Sequence, residues 1–497
     1  MEVTKKCLPL QSQTKRTGLC GSSSVGRAQP CQGWGREFEP RLPLQKVSRN
    51  AGLLFEKRSR PQPVRNDRAK ISPDGVQSYV SRPCAQGRLF CFVHIIIFTT
   101  FAVTQKHNDM TEIRQRETWI DWLRVAACFM VFIVHSTEPF YLGGEGSLIL
   151  TAGDAFWSSF FDSFIRACVP LFVIASSYLL FPVGYSTEVF FRRRAVRILI
   201  PFAFWTIIYA CVWGNPADNF RNLLLNFNYA AGHLWFVYML IGVYLLMPML
   251  SPWAERVEKK ELQIYLGIWL FTTLIPLIRD WAGEVPSVIY GPSGLPRQAL
   301  FPLWGEASWN TYGTFYYLSG FIGYLLLGLY FRKFVGELSW KKTLAIAIPA
   351  YSAGFTITFG GFLRRVYEMD NGVFPVEGLV EKAVWWETTW CNDTIGVALM
   401  AIAWILIFKK IKSDGKLYKN ILLPVSNASY GMYLMHLLIL VPISGAVRNA
   451  LGSGADGVLG FWTTPVEIVV SAFVAFVCTA VVATAIKRIP VIGKYIA

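Results

Sequence analysis

One apolar stretch of this 497-residue sequence carries four ionisable side chains, Asp121, Arg124, His135 and Glu138, in WIDWLRVAACFMVFIVHSTEP. An imidazole exchanges a proton near neutral pH, and a guanidinium holds anions through a rigid fork of donors. Arg124 and His135 are eleven residues apart. At about 100° per residue that is close to three turns, which places them on one face, about 16 Å apart along the axis. Ionisable groups inside a membrane helix are costly and mark polar cavities or pathways. Plainer readings exist for each residue. Asp121 and Arg124, at i and i+3, would also suit an interfacial ion pair. Arg124 would also snorkel to headgroups, and His135 would serve as a hydrogen-bonded packing residue. The shared face and a similarly placed Arg166 favour a functional stripe.

Further polar residues fall in or beside other apolar runs. Arg166 lies a turn beyond Asp162 in the second run. His233 opens the fourth in His-Leu-Trp-Phe, and His436 lies in the ninth in SYGMYLMH. These are, with His135, the three histidines after residue 110. Their spacing is not that of a metal site, so no metal is expected. The segment RRRAVR, Arg192–Arg197, leads into the third run. It is a topology determinant, and four arginines near Arg124 would also suit phosphates through bidentate, charge-assisted bonds.

The elements that must position these groups are membrane helices. The sequence is 53% hydrophobic and only 16% charged, where a soluble protein carries about a quarter charged residues. Spans are expected at 120–137, 157–181, 196–213, 234–251, 262–279, 312–331, 343–363, 394–408, 427–447 and 465–486. The fold class is therefore an all-α polytopic membrane protein with about ten transmembrane helices. With the end at Met110 placed in the cytoplasm, the inside segments hold 21 basic residues and the outside loops seven, among them Arg364 and Arg365. By the positive-inside rule both ends are cytoplasmic.

The net charge of +16 does not point to nucleic acid. Residues 1–109 hold 18 Lys+Arg against 7 Asp+Glu, and no recognition helix or basic–aromatic motif accompanies them. The cysteines of the membrane part, Cys128, Cys168, Cys211, Cys391 and Cys478, are isolated, which supports neither a zinc site nor a disulfide framework. The segment Gly21–Leu44 resembles the conceptual translation of a transfer-RNA gene. Ser23–Ala28 (SSVGRA) matches its D-arm, and Glu37–Pro40 (EFEP) matches its T-arm. Residues 1–109 are thus expected to be a spurious or disordered extension, with Met110 the true start and 110–497 the working domain. The apolar stretch Leu89–Val103 is short for a span and would put the basic N-terminus outside.

Over most of 117–486 the sequence resembles membrane-bound acyltransferase family 3, in particular its branch of inner-membrane O-acetyltransferases for surface glycans. The resemblance rests on Arg-x10-His (Arg124, His135), VPLFVIASSYLL (Val169–Leu180) and Arg-x-x-Arg (Arg194, Arg197). It continues with HLWFVYMLIGVYLLMPML (His233–Leu250) and SYGMYLMH (Ser429–His436). Ser176-Ser177 stands where many members have Ser-Gly.

The resemblance implies transfer of an acyl group, usually acetyl, from cytoplasmic acetyl-CoA or another acyl-CoA to a hydroxyl of an extracytoplasmic glycan, at a bacterial inner membrane. Arg124, Arg194 and Arg197 would bind the donor. His135 would act as general base or transient acyl carrier, with Glu138 orienting its ring. Arg166 would hold an acidic acceptor group or polarise the carbonyl, and His233 and Trp235 would line the outer pocket. The chain ends soon after its last span, so a separate extracytoplasmic transferase is a possible partner. The rival reading is a multi-span transporter or exporter of a glycan or small organic anion, which ten spans and buried charges also fit.

Overall fold

Lipid offers a backbone no hydrogen bonds, so apolar runs become helices. The computed structural model describes residues 116–142, 147–223, 225–281, 305, 310, 312–378, 380–452, 457–490 and 493–496. The chain divides into two units, and the second, Gly35–Arg116, is described only at Arg116. The expected extension, residues 1–109, lies outside the described residues.

Helix α1, Thr118–Thr137, passes into a tight turn, Glu138–Phe140, where Pro139 has no N–H to continue the ladder. The second expected span holds two helices, α2 (Ala152–Ile165) and α3 (Cys168–Leu180). The break falls at Arg166 because Pro170 cannot donate to the Arg166 carbonyl. Helix α4, Thr187–Arg194, runs through a π-helical turn, Ala195–Leu199, into α5, Ile200–Val212. Helices α6 (Pro216–Asn222) and α7 (Trp235–Arg256) follow. Helices α8 (Lys259–Thr272) and α9 (Ile275–Trp281) share the fifth span, and the Thr273 carbonyl at their junction accepts from the Ile395 N–H at 2.9 Å. Then come α10 (Phe321–Lys333), α11 (Trp340–Asp370), α12 (Val380–Trp386) and α13 (Ile395–Phe408). A second π-helical turn, Tyr418–Leu422, opens α14, Leu423–Leu451, just ahead of Pro424. Helix α15, Thr463–Lys487, and the short α16, Gly493–Ile496, complete the chain.

Each expected span contains a helix. Among the described residues, eight helical stretches are long and apolar enough to cross a membrane. Lys382–Trp390 and Ile395–Phe408, bent by 44°, make a ninth if taken as one span. The tenth position, 312–331, holds only α10. Its 13 residues reach about 20 Å at 1.5 Å per residue, short of a hydrocarbon core of about 30 Å. Protein surrounds much of it: Tyr324, Leu325 and Leu329 are buried, and it packs against α3 and α8.

One loop assignment needs correction. Helix α11 continues to Asp370, so Arg364 and Arg365 lie within a helix and not in an outer loop. Asp280 of α9 makes this tolerable, pairing with Arg364 at 2.5 Å and with Arg365 through its other oxygen. The left-handed Asn371 and the positive-φ Gly372 then stop the helix.

Helix α1 is the hub, packing against α2, α3, α13, α14 and α15. That central position explains how a span with four ionisable side chains is accommodated: its polar face meets protein. A ribbon of β1, Ser147–Ile149, and β2, Val376–Gly378, runs antiparallel with Ser147 opposite Gly378. It belongs with a small buried cluster that includes Tyr141, Phe362, Trp386 and Trp390, just beyond the end of α1.

Candidate active site

The Pro139 turn brings Glu138 back over the last turn of α1. Its Oε1 lies 2.8 Å from Nδ1 of His135. A carboxylate only accepts, so Nδ1 carries a hydrogen, and in the neutral ring Nε2 then presents a lone pair. Both side chains keep partial exposure, 15% and 14%, which leaves the pair reachable.

The turn is held from behind. Thr137 donates through Oγ1 to the Val134 carbonyl and lies 3.2 Å from Oδ2 of Asp162. Oδ1 of Asp162 accepts from Arg166 Nη1 at 2.7 Å, and both side chains are fully buried. Arg166 Nε donates to the Trp390 carbonyl at 3.0 Å, with the guanidinium 5.1 Å from the indole centre. Trp390 in turn donates to Ser163 at 2.8 Å. The structure therefore places Arg166 in a buried ion pair at the break between α2 and α3, next to the turn that carries Glu138. A buried pair in good geometry is destabilised by about 3–5 kcal/mol when one member is removed.

Three histidines from three elements converge. The ring of His135 stands 4.9 Å from that of His436 in α14 and 6.3 Å from that of His233, in the turn before α7. His233 and His436 are 5.0 Å apart, edge to face. The Tyr433 hydroxyl ties the two elements by donating to the His233 carbonyl at 2.6 Å. Nothing in the sequence spacing joins His436 to His135; its signals are an imidazole inside an apolar run and its place at the end of SYGMYLMH. Trp235 lies elsewhere, packing on Phe321 at the start of α10, 6.2 Å between rings. Among the described residues no group of three or more His, Cys, Asp or Glu side chains is placed to hold a metal ion.

At the other end of α1, Asp121 is buried and accepts from Tyr418 at 2.7 Å and from Ser426 at 2.6 Å. Arg124, one turn on, is half-buried, and its charge acts on Lys487 of α15. The ammonium of Lys487 bonds the Asn427 carbonyl. Arg194 lies over Phe190 and Tyr244, 5.8 and 5.9 Å from their ring centres, with Nε buried and unpartnered. Arg197 is exposed on the π-helical turn. That turn is fastened to α14 by Tyr430, which donates to the Ile198 carbonyl at 3.0 Å. Arg124 and the Arg194–Arg197 segment thus share the first half of α14 as a neighbour.

The arrangement offers proton transfer at one end of α1 and anion binding at the other. The comparison with protein families agrees with such a use: the model described as an acyltransferase domain matches residues 117–484. No curated protein and no solved structure matches the chain.

Proposed function

The chain belongs to acyltransferase family 3, and from that premise we propose that it transfers an acyl group, acetyl foremost, from cytoplasmic acyl-CoA to a hydroxyl of a surface or cell-envelope glycan. The observation that carries this reading is the 2.8 Å contact between His135 and Glu138 on the helix that also bears Arg124.

The acceptor hydroxyl meets the Nε2 lone pair of His135 and gives up its proton as its oxygen attacks the thioester carbonyl carbon. Glu138 stabilises the imidazolium so formed. The tetrahedral adduct collapses by breaking the carbon–sulfur bond, and the departing thiolate recovers the proton from His135. The products are an ester and free CoA. Arg124, Arg194 and Arg197 hold the phosphates and arm of the donor at the opposite, cytoplasmic mouth, about 16 Å from the imidazole for Arg124 by helix rise. His233 borders the acceptor side, while Trp235 packs on Phe321 away from it. Arg166 acts through Asp162 and Thr137 on the placement of Glu138, a role its buried ion pair favours over direct contact with the acceptor. The working protein sits in a bacterial inner membrane with both ends inside. A separate extracytoplasmic transferase completes delivery where the final acceptor lies beyond reach.

The test is release of free CoA by purified, bilayer-reconstituted protein given acetyl-CoA and envelope glycan, with acyl mass gained by the glycan. Glycan movement across vesicles without CoA release would instead assign the protein to transport.

A further inference from the structure

His436 is fully buried in α14 and its Nδ1 lies 2.5 Å from the Tyr433 carbonyl oxygen. A carbonyl only accepts, so Nδ1 carries the hydrogen and Nε2 carries a lone pair. That Nε2 is buried with no hydrogen-bond partner. No neighbouring group bonds it: Phe132 is apolar, 5.4 Å away between rings, the Tyr433 hydroxyl is spent on the His233 carbonyl, and His233, 5.0 Å away edge to face, has its own Nε2 buried and unpartnered. Leaving a buried acceptor unpaired is costly, a cost that an apolar side chain would avoid. Packing alone gives no reason for an imidazole here.

His135 presents the same feature 4.9 Å away between ring centres, since its hydrogen is on the Glu138 side. The neutral rings of His135 and His436 thus each leave an Nε2 lone pair to accept, and a single hydroxyl has one hydrogen to give. Filling both takes a ligand with two donors. We propose that His436 is a second catalytic histidine, whose Nε2 accepts from a hydroxyl of the acceptor neighbouring the one that His135 deprotonates. The acceptor is then a polyol, and His436 selects which of its hydroxyls reaches the thioester. The inference rests on the acyl-transfer reading above.

The experiment measures CoA release by reconstituted wild type, His135→Ala, His436→Phe, His436→Leu and His436→Gln, with acetyl-CoA and the envelope glycan that supports wild-type turnover. The Phe and Leu variants are expected to lower kcat/KM for the glycan at least tenfold, with KM for acetyl-CoA and the thermal midpoint unchanged or the midpoint raised. The Gln variant, which keeps an acceptor oxygen, recovers part of the loss. Leu stands in for Phe should the larger ring fail to fold. Wild-type kcat/KM for the glycan in the apolar variants overturns the proposal, as does a change confined to KM for acetyl-CoA. If wild type and His135→Ala behave as expected while the His436 variants match wild type, only this inference falls. If wild type releases no CoA, acyl transfer itself falls, and this with it.

Discussion

In the proposed mechanism the two nitrogens of His135 have different duties, and the residue-scale predictions follow from that division. Removing the ring by His135→Ala takes away the base, and CoA release is expected to fall by at least 10²-fold in protein that still inserts and expresses. Near-normal release would remove the mechanism. Glu138→Gln keeps an oxygen for the Nδ1–H but no charge to match the imidazolium. Its kcat is expected to fall roughly tenfold, about 1.4 kcal/mol, with both KM values little changed. Arg194→Ala is expected to raise KM for acyl-CoA several-fold, and an unchanged KM would leave that arginine as a topology signal alone. Much of this pair was legible in advance, because a histidine and a glutamate three apart meet on any helix end. His436 was not: it lies about 300 residues from His135 in sequence, and only the packing of α14 on α1 makes them neighbours.

At the scale of elements, glycine and proline decide how the spans depart from plain hydropathy. Apolar runs located all ten helical regions, yet they did not show that Pro170 would split the second span at Arg166 or that α10 would be a short, enclosed helix. Of the three glycines within 343–363, Gly354 and Gly361 are packing residues. A Cβ at Gly354 would meet the Gly396 carbonyl of α13, and one at Gly361 would meet Thr389, whereas nothing lies within 4 Å of Gly360. Close approach of this kind is the usual service of glycine between membrane helices. Gly354→Leu is therefore expected to destabilise by about 1–3 kcal/mol. Gly360→Ala, in contrast, is expected to stay within about 0.5 kcal/mol of wild type, both read from unfolding in detergent. Equal effects would mean that the α11–α13 contact is not the reason for these glycines.

For the molecule as a whole, the spacing of basic clusters implies one orientation. A reporter active only outside is expected to be silent when fused after Asp414 and active after Leu459. The reverse pattern would place the arginine segment away from the cytoplasmic donor. The structure adds long-range partners to the charge distribution. Arg364 and Arg365 of α11 pair with Asp280 instead of marking a loop, a contact about 85 residues long in sequence and invisible to any window. Arg166 is likewise held by Trp390, more than 200 residues on. Peptides from residues 1–109 are expected to be absent from the natural protein, and their detection by mass spectrometry would restore that segment to it.

The Asp162–Arg166 pair also bears on how the protein is made. An arginine entering hydrocarbon alone costs about 2.5–3.5 kcal/mol on insertion scales. Its counter-ion, one turn earlier on the same strand of polypeptide, emerges from the ribosome first, so the second span reaches the translocon already neutral. The Trp390 carbonyl that finally fixes the guanidinium is synthesised only after the next several spans are in place. At five to twenty residues per second, that interval is roughly ten to forty-five seconds. During it the turn bearing Glu138 has nothing from the chain's second half to lock it. The His135 end of the first span is thus among the earliest parts to enter the membrane and among the last to set.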